Sequence, residues 1–226
     1  FTHSDHQLSK RELTALQACD AILVHSTQQK IKLDILLPNS KIVIFIGAID
    51  ESRFQNPKYG EKIVWIGTPV ERKNIETLFL LSSIMPNRQF RIIGNNWQKS
   101  KYWNQLENSK NIEYIELNGP LNSSHLTGCS AYLMLSKIEG GPMPLLETLA
   151  YGLVPICTDT GFVRDLLVPL NLSLFILEHD SSLFQWQEKI EIGLKFLNLN
   201  LDERRKFAYS FSFHRLNQII LDCFQV

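Results

Sequence analysis

The sequence predicts an α/β protein built on a doubly wound parallel sheet. Three observations carry this expectation. After residue 60, short apolar runs of strand length recur at 62–66, 89–93, 112–117, 131–135, 154–158 and 174–177. Between them, apolar residues fall at helical spacing over 74–84, 98–108, 123–128, 144–151 and 162–168. The turns that follow the runs hold Gly67, Gly94, Gly119, Gly140 and Gly161. Strands alternating with helices of this length join by right-handed crossovers and lie parallel.

The first fifty residues read as the end of one unit. A short helix follows Ser9, residues 21–25 form a strand, and Ser26 caps a helix over 27–37. Residues 41–46 are a second strand, and Gly47 to Asp50 turn away. Gln55 to Gly60 is polar and carries Pro57 and Gly60, which marks a boundary. We therefore expect residues 1–50 to belong to one unit and 51–226 to another, the second closing with helices over 181–197, 202–211 and 212–224.

Composition narrows the function. Twenty-three basic and twenty-three acidic residues cancel, so no nucleic-acid footprint is present. No apolar run approaches the roughly 20 residues of a membrane helix. Cys19, Cys129, Cys157 and Cys223 lack metal-type spacing and read as reduced, mostly buried thiols of a cytoplasmic protein. The chain starts at Phe1, which leads us to expect an upstream segment.

The most informative stretch is Glu139-Gly-Gly-Pro-Met-Pro-Leu-Leu-Glu147. It lies between a buried strand and a helix that ends at Gly152, at the carboxyl edge where open α/β sheets bind ligands. Gly140 and Gly141 let a ligand approach the main chain. Pro144 suits the first helical position, leaving the amides of Leu145 and Leu146 at the positive helix end, a ready anion site. Glu139 and Glu147 flank this pocket, and carboxylates accept hydrogen bonds from hydroxyls. Singly, Glu147 would complement the helix dipole and Glu139 would be a solvated loop residue. Together with two glycines and two prolines, they describe a pocket for a sugar carried on a phosphate.

This stretch, with Leu149-Ala-Tyr-Gly-Leu-Val-Pro-Ile-Cys-Thr-Asp-Thr-Gly161 after it, resembles the signature of family-4 retaining glycosyltransferases. The resemblance implies the GT-B arrangement of two Rossmann-like domains. Here that means a Rossmann-like donor domain preceded by a partial second unit from the acceptor side. It implies that Glu139 contacts the donor sugar and Glu147 the ribose, with Gly140, Gly141, Pro142, Met143, Pro144 and Leu145 along the sugar and diphosphate.

The same resemblance extends to the other turns. In Gly67-Thr-Pro-Val-Glu-Arg-Lys73, two cations before a helix suit phosphate, although a lone Arg-Lys pair is more often a solvated loop. Relatives carry an arginine and a lysine gripping the diphosphate. Lys73 matches the lysine, Thr68 stands in the arginine's place, and Arg72 is its candidate substitute. Gly94, Asn118 and Gly119 fall on turns that lie near the nucleotide in relatives, and Thr160 and Gly161 border the sugar. His3 matches an acceptor-side histidine, or is a surface residue. Trp97 and Trp103 read as core packing, and His25 shows no ligand spacing.

We therefore expect transfer of a hexose from a nucleotide diphosphate sugar to a hydroxyl of a glycan or lipid-linked acceptor, with retention. Glu139 and Lys73 are the expected catalytic pair, and no metal or other cofactor is expected. Peripheral membrane association would come through the upstream domain. The alternative is a non-catalytic nucleotide-sugar-binding module, or one half of a two-chain enzyme. A dehydrogenase is disfavoured because no Gly-x-Gly-x-x-Gly opens the first crossover.

Overall fold

The computed structural model describes residues 8–224. Its N-terminal unit comprises α1 (Lys10–Gln17), β1 (Ile22–Val24), α2 (Thr27–Leu36) and β2 (Ile42–Ile44). β1 and β2 run parallel, with Ile22 opposite Ile42 and Val24 opposite Ile44. Ser9 and Glu12 form a capping box on α1, and the Ser26 hydroxyl caps α2 as the sequence predicts. Ile22, Val24, Leu33, Leu37 and Ile42 make the small core of this unit.

The second unit holds β3 (Lys62–Ile66), α3 (Ile75–Ile84), β4 (Phe90–Gly94), α4 (Trp103–Glu107), β5 (Ile112–Glu116) and α5 (Ser123–Leu126). It continues through β6 (Cys129–Met134), α6 (Met143–Tyr151), β7 (Val154–Thr158), α7 (Val163–Leu167), β8 (Ile176–Leu177), α8 (Leu183–Lys195), α9 (Leu201–Tyr209) and α10 (Phe213–Phe224). The six strands form one parallel sheet in the order β5-β4-β3-β6-β7-β8. The expected α/β parallel architecture is thus present.

This order positions the site. The chain moves outward from β3 to β5, then returns to lay β6 against the other side of β3. The direction of winding reverses between β3 and β6, and in open α/β sheets such a switch point is where ligands bind at the carboxyl edge. The strands beneath are apolar on both faces: Ile63, Val64, Ala131, Tyr132, Leu133, Val154 and Ile156 are all within 1% of full burial. α8 packs against α3 and α6 against α9.

Two elements differ from expectation. The helix expected over 98–108 is a 3-10 turn (Trp97–Lys99) followed by the short α4. Ser100 separates them, its hydroxyl bonding back to the Trp97 carbonyl at 2.7 Å, while Trp97 is driven fully into the core. The strand expected over 174–177 keeps only Ile176–Leu177, because Ser173–Phe175 wind into a 3-10 turn that buries Phe175.

The units are joined by chain that crosses twice. The Ile49 amide donates to the Phe211 carbonyl at 2.9 Å, next to the entry of α10. The Lys41 ammonium then bonds the carbonyl of Asp222 at 2.7 Å near the end of α10, where a cation complements the helix dipole.

Candidate functional site

The loop leaving β6 is held from below. The Thr158 hydroxyl donates to the Ser136 carbonyl at 2.6 Å, and the Glu139 amide donates to the Thr160 hydroxyl at 2.9 Å. Gly161, at φ +61°, lies directly beneath: a Cβ there would come 3.0 Å from the Gly140 carbonyl oxygen. At Gly141 a Cβ would meet the Phe162 ring at 2.9 Å and the His25 ring at 3.3 Å. The loops after β6 and β7 are therefore stacked, with Thr160 and Gly161 against Glu139 and Gly140.

The loop after β3 brings the cations. It leaves the strand at Gly67 and winds into a 3-10 turn, Glu71–Lys73, before Asn74 takes a left-handed conformation to start α3. The Lys137 amide donates to the Arg72 carbonyl at 2.8 Å, tying this loop to the one after β6. Lys73 Nζ donates to Glu139 Oε1. Arg72 Nη1 sits 2.9 Å from Oε2 of the same carboxylate and also donates to the Ile138 carbonyl at 3.2 Å. The Lys73 and Glu139 side chains are 11% and 9% exposed, that of Arg72 45%. Burial pushes the Glu139 carboxyl up, but the Lys73 ammonium, its hydrogen bond and Arg72 outweigh this and hold it below the usual range. Arg72 thus faces the site. Thr68 is exposed.

Glu147 lies on the first turns of α6, partly buried. Burial raises its pKa, and the charge of Arg53 offsets this only in part. The helix start departs from expectation. α6 begins at Met143 after Pro142, so Pro144 is its second residue, not its first. The Leu145 amide is not free for an anion: it donates to the Pro142 carbonyl at 2.9 Å, and the Met143 amide to Gly141 at 2.8 Å. A Pro-x-Pro start closes a tight turn on itself and uses these donors.

Gly94 and Gly67 meet at the same sheet edge. The Gly67 amide donates to the Ile93 carbonyl at 2.9 Å, and the buried Trp97 indole donates to the Gly67 carbonyl at 3.1 Å. Trp97 also packs edge-on to Trp65, so its role is packing, as expected. Asn118 and Gly119 are exposed beyond β5, two strands away from β3. They share the carboxyl edge but are not brought to the Glu139 cluster. His3 lies outside the described residues.

Sequence reasoning missed the contributions of the N-terminal unit. His25, at the end of β1, bonds the Phe45 carbonyl through Nδ1 at 3.0 Å and turns its ring toward Gly141. Gly47, at φ +139°, lies against the Met143 sulfur so closely that a Cβ would overlap it. The Thr27 amide donates to Asp165 on α7 at 3.2 Å. Beside it, a cavity of about 560 Å³ opens between α2 and α7, lined by Thr27, Ile31, Asp159, Thr160, Gly161 and Asp165. Only the positive φ of Gly47 leaves a trace in the sequence. The contacts of His25 with Gly141 and of Thr27 with Asp165 join residues more than 100 positions apart.

Among the described residues no three His, Cys, Asp or Glu side chains cluster as metal ligands. No helix among them is long and apolar enough to cross a membrane.

The model of the family described as Glycosyl transferases group 1 matches residues 48–194, which span both loops of the cluster. The chain belongs to this family. Solved structures similar to this group 1 chain include TarM, with a TM-score of 0.77 at 14% identity, covering 100% of this chain and 49% of TarM. A sucrose-phosphate synthase from Thermosynechococcus elongatus gives 0.74 at 15% identity, covering 97% and 63%. HepE of Anabaena, solved with UDP and glucose, gives 0.70 at 11% identity, covering 96% and 68%. At these identities the likeness is one of fold. The chain spans about half the length of TarM. No curated protein matches it.

Proposed function

We propose that this group 1 chain is the donor-binding part of a family-4 retaining glycosyltransferase that moves a hexose from a nucleotide diphosphate sugar to a hydroxyl of a glycan or lipid-linked acceptor. The observation that carries the reading is the meeting of Lys73, Arg72 and Glu139 at the carboxyl ends of β3 and β6. Two cations suit a diphosphate, and a carboxylate beside them suits sugar hydroxyls. In this reading the bond from the anomeric carbon to the diphosphate breaks while the bond to the acceptor oxygen forms on the same face. The acceptor proton passes to the departing phosphate. Lys73 and Arg72 stabilise the charge that develops there, and the reading calls on no metal ion. Arg72 takes the part of the family arginine that Thr68 replaces. Glu147 holds the ribose. The cavity between α2 and α7, which borders Thr160 and Gly161, admits the acceptor. Four cysteines without a disulfide suit a cytoplasmic enzyme.

A second reading is a binding module that needs another chain for transfer. It is favoured by the small size of the β1–β2 sheet, whose flanking residues His25 and Gly47 are what the described part of this unit places against Gly141 and Met143. Titration calorimetry with UDP, GDP and their sugars tests the site. The parent chain should bind one base series, and Glu147→Gln should weaken every member of it by about 1–3 kcal/mol through loss of a charge-assisted hydrogen bond. Unchanged binding by that variant would remove Glu147 from the site. Hydrolysis or transfer of the bound sugar by the chain alone would exclude the second reading.

A further inference from the structure

We infer that the Glu139 carboxylate selects the nucleotide sugar over the free nucleoside diphosphate by charge, attracting the substrate and repelling the product through one side chain. The inference rests on the donor-site reading above.

The geometry forces the competition. Lys73 and Arg72 each hold a different oxygen of Glu139. A phosphate oxygen within hydrogen-bond reach of Lys73 would therefore lie at most about 6 Å from that carboxylate, because two contacts of roughly 3 Å meet at one nitrogen. The carboxylate has little freedom to withdraw. It is buried, its own amide is bonded to Thr160, and Gly161 closes against the loop from beneath.

Charge then separates the two ligands. The diphosphate of a nucleotide sugar is a diester with two negative charges. Without the sugar, the terminal phosphate can ionise again, with a pKa near 6 for a phosphate monoester. At neutral pH the free diphosphate thus carries close to one more charge, on the phosphate group facing the cations. Lys73 and Arg72 alone would prefer this more charged ligand. With Glu139 between them the three side chains sum to a single positive charge, and the extra phosphate charge meets a fixed carboxylate. At about 6 Å and an effective dielectric near 20, that repulsion amounts to a factor of ten or more in affinity. The sugar reverses the contribution, because its hydroxyls donate to the carboxylate and a bare phosphate offers no such donors.

Calorimetric titration of the parent chain, Glu139→Gln and Arg72→Gln with UDP, GDP, UDP-glucose, GDP-mannose and inorganic pyrophosphate tests this. Glu139→Gln should bind the free diphosphate and pyrophosphate about tenfold tighter than the parent, and the nucleotide sugar no tighter. Arg72→Gln should weaken both and widen the preference for the nucleotide sugar. Because the Arg72 side chain is 45% exposed, this second variant carries the test if Glu139→Gln folds poorly. Diphosphate binding by Glu139→Gln that is unchanged or weaker, or a preference left unchanged or narrowed in Arg72→Gln, would overturn the charge selection and leave the donor site standing. A parent chain that binds none of these ligands would overturn the donor-site reading, and this inference with it.

Discussion

Arg72 Nη1 lies 2.9 Å from Glu139 Oε2, while Lys73 engages the other oxygen of the same carboxylate. Lys73 and Glu139 are both nearly inaccessible, so neither charge can be compensated by water if the other is removed. Lys73→Met should therefore cost about 2–4 kcal/mol, with Arg72 limiting the loss. Lys73→Met combined with Glu139→Leu should regain most of it. Urea denaturation of both variants measures this, and a single-variant loss below about 0.5 kcal/mol would mean that Arg72 alone satisfies the carboxylate.

The two glutamates should respond to pH with opposite sign. Glu139 is held below its ordinary 4.5, so its contribution is fully present above that value and is lost as pH falls through the lowered folded pKa. Glu147 is raised by burial, so its ionisation costs stability. The cost is absent below 4.5 and grows as pH rises through the raised folded pKa. At pH 8, Glu147→Gln should raise Tm and Glu139→Gln should lower it. Near pH 4 the Glu147→Gln gain should vanish. A Tm for Glu147→Gln that is unchanged or lower at pH 8 would show that the carboxylate is not desolvated.

Backbone approach at the sheet edge gives a sharper test. A Cβ on Gly94 would overlap the Gly67 carbonyl oxygen, which the Trp97 indole pins in place. Gly94→Ala should cost about 2–3 kcal/mol and disturb the loop that carries Arg72 and Lys73. Gly119→Ala, with no atom within 4 Å but a φ of +98°, should cost only about 1 kcal/mol from backbone strain. Reversal of that order in thermal melts would refute the close-approach account.

Arg204 is fully buried, and among the described residues no carboxylate bonds to it. Burial lowers its pKa to about 10, still charged at neutral pH. Its guanidinium donates to the carbonyls of Leu199, Leu197 and Gly152, the last being the C-cap of α6. Arg204→Leu should leave these acceptors unpaired and cost about 3 kcal/mol or more by urea denaturation. The loss should loosen α6 at the end opposite Glu147, which amide hydrogen exchange along 143–152 would detect.

The sequence by itself determined the strand–helix alternation, because a buried parallel strand must be a short apolar run and its glycines must sit where the chain turns. The bounds of Lys62–Ile66 and Val154–Thr158 follow from that alone. It also carried Glu139, Glu147 and the Gly-Gly-Pro turn, since these residues lie in one short stretch of chain and their spacing is itself the signal. Only the tertiary structure decided how Lys73, Arg72 and Glu139 combine. They come from loops more than sixty residues apart, and they meet because β3 and β6 lie side by side in the sheet. The direction of Arg72, the placing of His25 against Gly141 and the opposite pKa shifts of the two glutamates are set by distance and burial. Those quantities belong to the folded arrangement, and no local pattern encodes them.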